Sequence, residues 1–167
     1  MAKASNEKAG GNSQTAVGVA SYADGEGASA FGATANATGS LATAVGRNSK
    51  ALALSASAFG DSASASAWGA TALGRGASAR ADNSIAVGSA AVTEGRESTA
   101  LGRRSYAGAQ SATALGTLAN ASAVVSTAVG NGAKASAIQA SALGNGAEAT
   151  GGSSIAIGAK ARASGSD

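Results

Sequence analysis

Thr15-Ala16-Val17-Gly18 returns as Ser29-Ala30-Phe31-Gly32, Thr43-Ala44-Val45-Gly46 and Ser57-Ala58-Phe59-Gly60, at a step of 14 each time. The series continues through Thr71-Ala72-Leu73-Gly74, Ile85-Ala86-Val87-Gly88, Thr99-Ala100-Leu101-Gly102, Thr113-Ala114-Leu115-Gly116, Thr127-Ala128-Val129-Gly130, Ser141-Ala142-Leu143-Gly144 and Ile155-Ala156-Ile157-Gly158. Eleven copies run without an insertion or deletion, which is how stacked repeat architectures announce themselves. A second run of alternating small residues follows each Gly, from Ser21 and Ala23 to Ala161 and Ala163. The Gly that closes the first run, and Gly25, Gly39, Gly95 and Gly151 between units, fit turns that need positive φ. Two short strands and two turns then make one coil.

Fourteen is also two heptads, and Ala is the best helix former, so a coiled coil competes. It fails on two counts. The 25 Gly residues, at about 1 kcal/mol each, offset the propensity of the alanines. Each unit also offers one large apolar residue where two heptads need four. Alternation at period two is the stronger signal.

Coils stacked in register pair every strand with its copy one unit on, giving parallel ladders spaced about 4.8 Å and a rod of roughly 50 Å. Side chains 14 apart become neighbours, and the charges agree. Arg47, Asp61 and Arg75 form one row and Lys134, Glu148 and Arg162 another, while Arg80 meets Glu94 and Asp82 meets Arg96. Each exposed pair contributes only about 0.2–1 kcal/mol, so the rows speak for register more than for stability.

Ala16 and Val17 point to opposite sides of their strand, yet both columns are apolar throughout. One cover comes from the second strand of the same coil, whose Ser21 and Ala23 columns are small. The other must come from another chain. The expected arrangement has the Val17 column filling the roll and the Ala16 column turned toward a symmetry axis, with the reverse as its alternative. A further apolar row at one corner, Leu54 beside Trp68 and Val124 beside Ile138, is either an intersubunit contact or an exposed edge.

Composition narrows the function. Aromatic residues make up only 3% of the 167, too few for a thick core, and His and Cys are absent. The usual acid/base, the thiol nucleophile and the soft or imidazole metal ligands are therefore missing, so no catalytic, cofactor-binding or metal-binding residue is assigned. A net charge of +3 with interleaved acids is not expected to form a basic stripe for nucleic acid. No apolar run reaches the length of a membrane span. Residues 1–8 read as an N-terminal extension and 9–167 as the repeat domain. Because the repeat runs close to both ends, the chain is expected to be a piece of something longer.

Asn83-Ser84-Ile85-Ala86-Val87-Gly88 and Ser153-Ser154-Ile155-Ala156-Ile157-Gly158 resemble the repeat of YadA-like heads in trimeric autotransporter adhesins, and the resemblance spans roughly residues 9–165. It implies an all-β, left-handed parallel β-roll of 14-residue coils, assembled as a homotrimer. It also implies an extracellular bacterial head that is not itself embedded in a membrane, on a parent protein anchored in the outer membrane. Thr or Ser often replaces the first Val of the family pattern, and the basic, neck-like segment that usually follows a head is missing.

On this reading the function is non-enzymatic attachment to host cells or extracellular matrix, with many weak contacts adding along a rigid rod. The outward column of the second strand carries the candidate ligand-facing residues Tyr22, Lys50, Tyr106, Lys134 and Arg162, although plain solvent exposure is the ordinary role of such positions. Ice binding by the Thr15 column and a purely structural surface-layer solenoid are alternatives. The interruptions at Ile85 and Ile155 weaken the first of these. A left-handed β-helix acyltransferase would need a hexapeptide repeat and usually a His.

Overall fold

The computed structural model describes residues 8–9 and 13–165. It is an all-β parallel solenoid with two short strands in each 14-residue coil. The three-residue strands, Thr15–Val17 to Ile155–Ile157, form an 11-stranded broad sheet. The two-residue strands, Lys8–Ala9 and then Tyr22–Ala23 to Arg162–Ala163, form a 12-stranded narrow sheet. Every strand pairs in parallel with its copy 14 residues on, as in Thr71 with Ile85 and Ser78 with Val92. The expected extension at residues 1–8 lies outside the described residues, apart from Lys8, which pairs with Tyr22.

The interior is made almost entirely of alanine. Ala30 and its copies through Ala142 are fully buried, packed among the Ala28, Ala35 and Ala37 columns, which hold Ala, Ser and, once, Thr. This reverses the expected assignment: the Ala16 column fills the roll, and the Val17 column faces outward. Val17 is 50% exposed, Leu73 47% and Leu101 43%. The cause is thickness. A coil closed by two four-residue turns brings its two sheets so close that, Thr93 apart, only methyl and hydroxymethyl groups lie between them.

Each coil turns twice in the same manner. Ser21 N–H donates to the Gly18 carbonyl at 3.1 Å, and Ala28 N–H donates to that of Gly25 at 2.9 Å. The third residue of each turn takes positive φ, 55° at Ala20 and 65° at Gly27, as a type II turn requires. Backbone donors between these turns reach the coil below, as in Gly32 N–H to Val17 O and Thr34 N–H to Val19 O, both at 2.8 Å.

The left-handed turn position is not reserved for glycine. Leu41, Leu118 and even the β-branched Val125 occupy it, at φ 57–59°. These residues accept a strain of about 1–2 kcal/mol because ladder bonds on either side hold the turn in place. The glycine after each first strand is different. Gly18, Gly32 and Gly60 have φ of 126–129°, and a Cβ on any of them would lie 2.7 Å from the carbonyl of the next such glycine. Gly25, Gly39, Gly95 and Gly151, expected at positive φ, do not adopt it. They are buried, and an added Cβ would run into the backbone carbonyl of the following coil. Their role is close packing.

Polar groups inside the roll are short and satisfied. The hydroxyls of Ser21, Ser49 and Ser105 donate to the turn carbonyls three residues back, each at 2.9 Å. One fully buried residue is larger than serine. Thr93, fully buried, donates to Ser84 Oγ at 2.9 Å, and Ser84 in turn donates to the Ala81 carbonyl at 2.6 Å. Removing the acceptor alone, with Ser84→Ala, strands a buried hydroxyl and should cost about 1–3 kcal/mol. Adding Thr93→Val should recover most of that loss, as chemical denaturation of both variants would reveal. Equal stability of the Ser84→Ala single variant and the parent would show that the relay contributes nothing.

Candidate binding surfaces

The solenoid presents four surfaces to solvent, each built from fixed positions of the coil. The outer face of the broad sheet carries the Thr15 and Val17 columns. The outer face of the narrow sheet carries the Tyr22 and Asp24 columns. The first turn presents the Val19 and Ala20 columns at one edge, and the second presents the Glu26 and Gly27 columns at the other.

Charge is distributed unevenly over these surfaces. The narrow sheet holds Asp24, Lys50, Arg80, Glu94, Lys134, Glu148 and Arg162, signs interleaved. The first-turn edge holds five cations, Arg47, Arg75, Arg103, Arg104 and Lys160, against Asp61 alone. The expectation that acids interleave throughout therefore fails at this edge, where the cations gather along one line. The second-turn edge leans the other way, with Glu26, Asp82 and Glu97 against Arg96. Among the described residues the broad sheet's outer face carries no charge at all. From end to end it offers Thr, Ser or Ile beside Val, Phe, Leu or Ile.

Register produces ion pairs between coils. Arg47–Asp61, Arg80–Glu94, Arg96–Asp82 and Arg162–Glu148 close at 2.7–3.7 Å, all with exposed arginines. Asp61 and Glu148 each engage one cation of the two that flank them, so Arg75 and Lys134 form no ion pair in the described structure. Such exposed pairs set register more than stability.

The candidate ligand-facing residues fall in one column of the narrow sheet. Tyr22, Asn36 and Lys50 occupy three successive rungs, and Tyr106, Asn120 and Lys134 occupy another three. Arg162 ends the column beside Glu148. Lys50, Lys134 and Arg162 are exposed, while Tyr22 and Tyr106 are half-buried. The Tyr106 phenol donates to Glu94 Oε2 at 2.7 Å, while Arg80 donates to the other oxygen of that carboxylate at 2.7 Å. The hydrogen bond to Glu94, with some burial and the carboxylate's charge, holds the Tyr106 phenol above its ordinary pKa. Asp24 does the same for Tyr22. Both rings are thus tethered to acids through their hydroxyls.

No pocket opens in the described surface, and no cluster of three potential metal ligands forms among the described residues. The sequence profile of the YadA head domain repeat matches residues 15–35, 37–63, 51–77, 65–91, 79–105, 94–119, 121–147 and 149–167. The chain belongs to the YadA head family. That family consists of adhesin-type structural domains exposed on bacterial surfaces and is not known as enzymatic. No curated protein matches the chain. In each first strand the Thr, Ser or Ile and the large apolar residue face outward, and the alanine between them, the same in all eleven copies, faces in.

Proposed function

We propose that this YadA head is the tip of a homotrimeric adhesin on a parent protein anchored in the bacterial outer membrane. Three copies close their broad sheets on a common axis, and the narrow sheets face outward to engage host cells or extracellular matrix. The observation that carries this reading is the uncharged apolar face of the broad sheet. Eleven large side chains in one unbroken column are many more than a free rod would leave in water. Burying the exposed half of each contributes about 1 kcal/mol, or on the order of 10 kcal/mol per chain.

The same face argues against ice binding, because the Thr15 column lies beside the Val17 column and is covered with it. With three narrow sheets displayed at once, weak contacts at Tyr22, Lys50, Tyr106, Lys134 and Arg162 add by multivalency. Sedimentation of the purified head should give the mass of three chains, and the trimer should bind saturably to immobilised matrix proteins. Lys50→Ala with Lys134→Ala should weaken that binding severalfold without changing the mass. A monomer at micromolar concentration would overturn the assembly, and a trimer that binds none of the matrix proteins would overturn the adhesive role.

A further inference from the structure

We infer that the narrow sheet carries two copies of one binding site for an acidic sugar, built from Tyr22, Asn36 and Lys50 and again from Tyr106, Asn120 and Lys134. This names the ligand class of the outward surface proposed above and rests on that reading. In each case the three side chains occupy successive rungs of one exposed column, with Ser64, Ser78 and Val92 between the two sets. The order returns after 84 residues, or six coils, which at about 4.8 Å per coil separates the sites by roughly 29 Å. Had six coils simply been copied, the first-turn edge would match as well. It does not: Val19, Ala33 and Arg47 stand against Arg103, Thr117 and Asn131. What recurs with the triad lies on the side of the second turn. A hydroxyl sits beside the amide, Thr38 or Ser122, and aliphatic residues follow on the turn, Leu41 and Leu54 against Val125 and Ile138.

The two triads also share their surroundings. Each phenol is held by a carboxylate, Tyr22 by Asp24 on its own rung and Tyr106 by Glu94 one rung below. The Tyr106 ring lies down along the strand with its hydroxyl end over Gly108, where an added Cβ would come within 2.5–2.7 Å of it. What such a ring leaves for a partner is mostly carbon, the kind of surface against which the C–H face of a sugar packs. Asn36 and Asn120, alone among the described asparagines, have a buried side-chain oxygen with no hydrogen-bond partner. The fold does not use that oxygen, and an amide that turns can give a sugar hydroxyl both a donor and an acceptor. Lys50 and Lys134 are exposed and form no ion pair among the described residues. Glu148, on the rung after Lys134, is engaged by Arg162 at 2.7 Å. Each ammonium, two rungs or about 10 Å from its ring, supplies a point charge for a carboxylate or sulfate on the same short oligosaccharide. A bare anion would have no use for the ring, and a neutral sugar none for the amine.

Calorimetric titration of the purified head with short oligosaccharides of hyaluronan and of chondroitin sulfate, and with dextran and polyglutamate, tests this. Two acidic oligosaccharides should bind per chain. Binding of hyaluronan identifies the carboxylate as the group recognised, and binding of chondroitin sulfate alone identifies the sulfate. Asn120→Ala with Lys134→Ala should leave one oligosaccharide per chain at undiminished affinity. Tyr22→Ala with Tyr106→Ala should weaken binding severalfold, while Tyr22→Phe with Tyr106→Phe should retain most of it. Circular dichroism and sedimentation check that each variant keeps its fold and mass, and the stoichiometry and selectivity of the parent head decide the matter without any variant. Dextran or polyglutamate bound as tightly as the acidic sugars, or neither acidic sugar bound, would overturn the site. A head that binds matrix proteins but neither acidic sugar leaves the adhesive reading standing, and one that binds the sugar but no matrix protein does the reverse.

Discussion

Replacing Ala100 with Leu should destabilise the rod by about 3 kcal/mol or more, among the largest effects expected of any single substitution in the chain. Ala100 is fully buried and lies in the ladder between Ala86 and Ala114, and the opposite sheet supplies only Ala, Ser and Thr93 in the neighbouring coils. Three extra carbons have nowhere to go. An ordinary core yields by shifting rotamers, but alanine has none to shift. The two sheets could separate only by stretching turns that hydrogen bonds hold at 3.2 Å, Ser105 N–H to Gly102 O and Ala119 N–H to Gly116 O. Damage should also spread, because coils in a solenoid depend on their nearest neighbours. Thermal melting followed by circular dichroism would measure the loss. A melting temperature unchanged from the parent would mean that the interior has slack which the burial pattern denies. Thr93 does not contradict this: it adds two heavy atoms where Ser84 is placed to receive its hydroxyl.

The register was legible in the sequence because it depends on one number. A spacing of 14 sets every ladder pair, and the alternation of opposite charges at that spacing agrees with it. The choice of inner face was not legible by the rule that larger apolar groups go inside, since both columns of the first strand are apolar. The deciding signal lay elsewhere in the repeat. Ser21, Ala23, Ala28 and their copies are all small, so whatever faces them across so short a gap must be small as well. That argument selects Ala16 over Val17. The positive-φ positions were hidden for a different reason. They are set by turn geometry and ladder bonds, which hold Leu41, Glu97 or Val125 there despite the strain as well as Gly27, so composition leaves little mark on them. The charge bias of the two edges was legible in principle, but only by sorting charges at half the repeat.

Leu101→Asp should leave the coil folded and dissolve the assembly. Leu101 is the next residue along from Ala100, yet it lies on the other side of the strand and is 43% exposed in the single chain, so an aspartate there can reach water at little cost to the roll. In the proposed trimer three copies of that side chain converge on the axis, where sister chains exclude solvent. An unpaired carboxylate buried there costs several kcal/mol, and three like charges at one level repel besides. This exceeds the roughly 1 kcal/mol per chain that Leu101 itself contributes by burial, so the effect should be far larger than that of Leu101→Ala, which only removes contact area. Sedimentation should report a monomer with an undiminished β spectrum. A variant that stays trimeric would remove the Val17 column from the axis. One that unfolds outright would show that the alanine interior, although complete within one chain, needs its sisters to hold it closed.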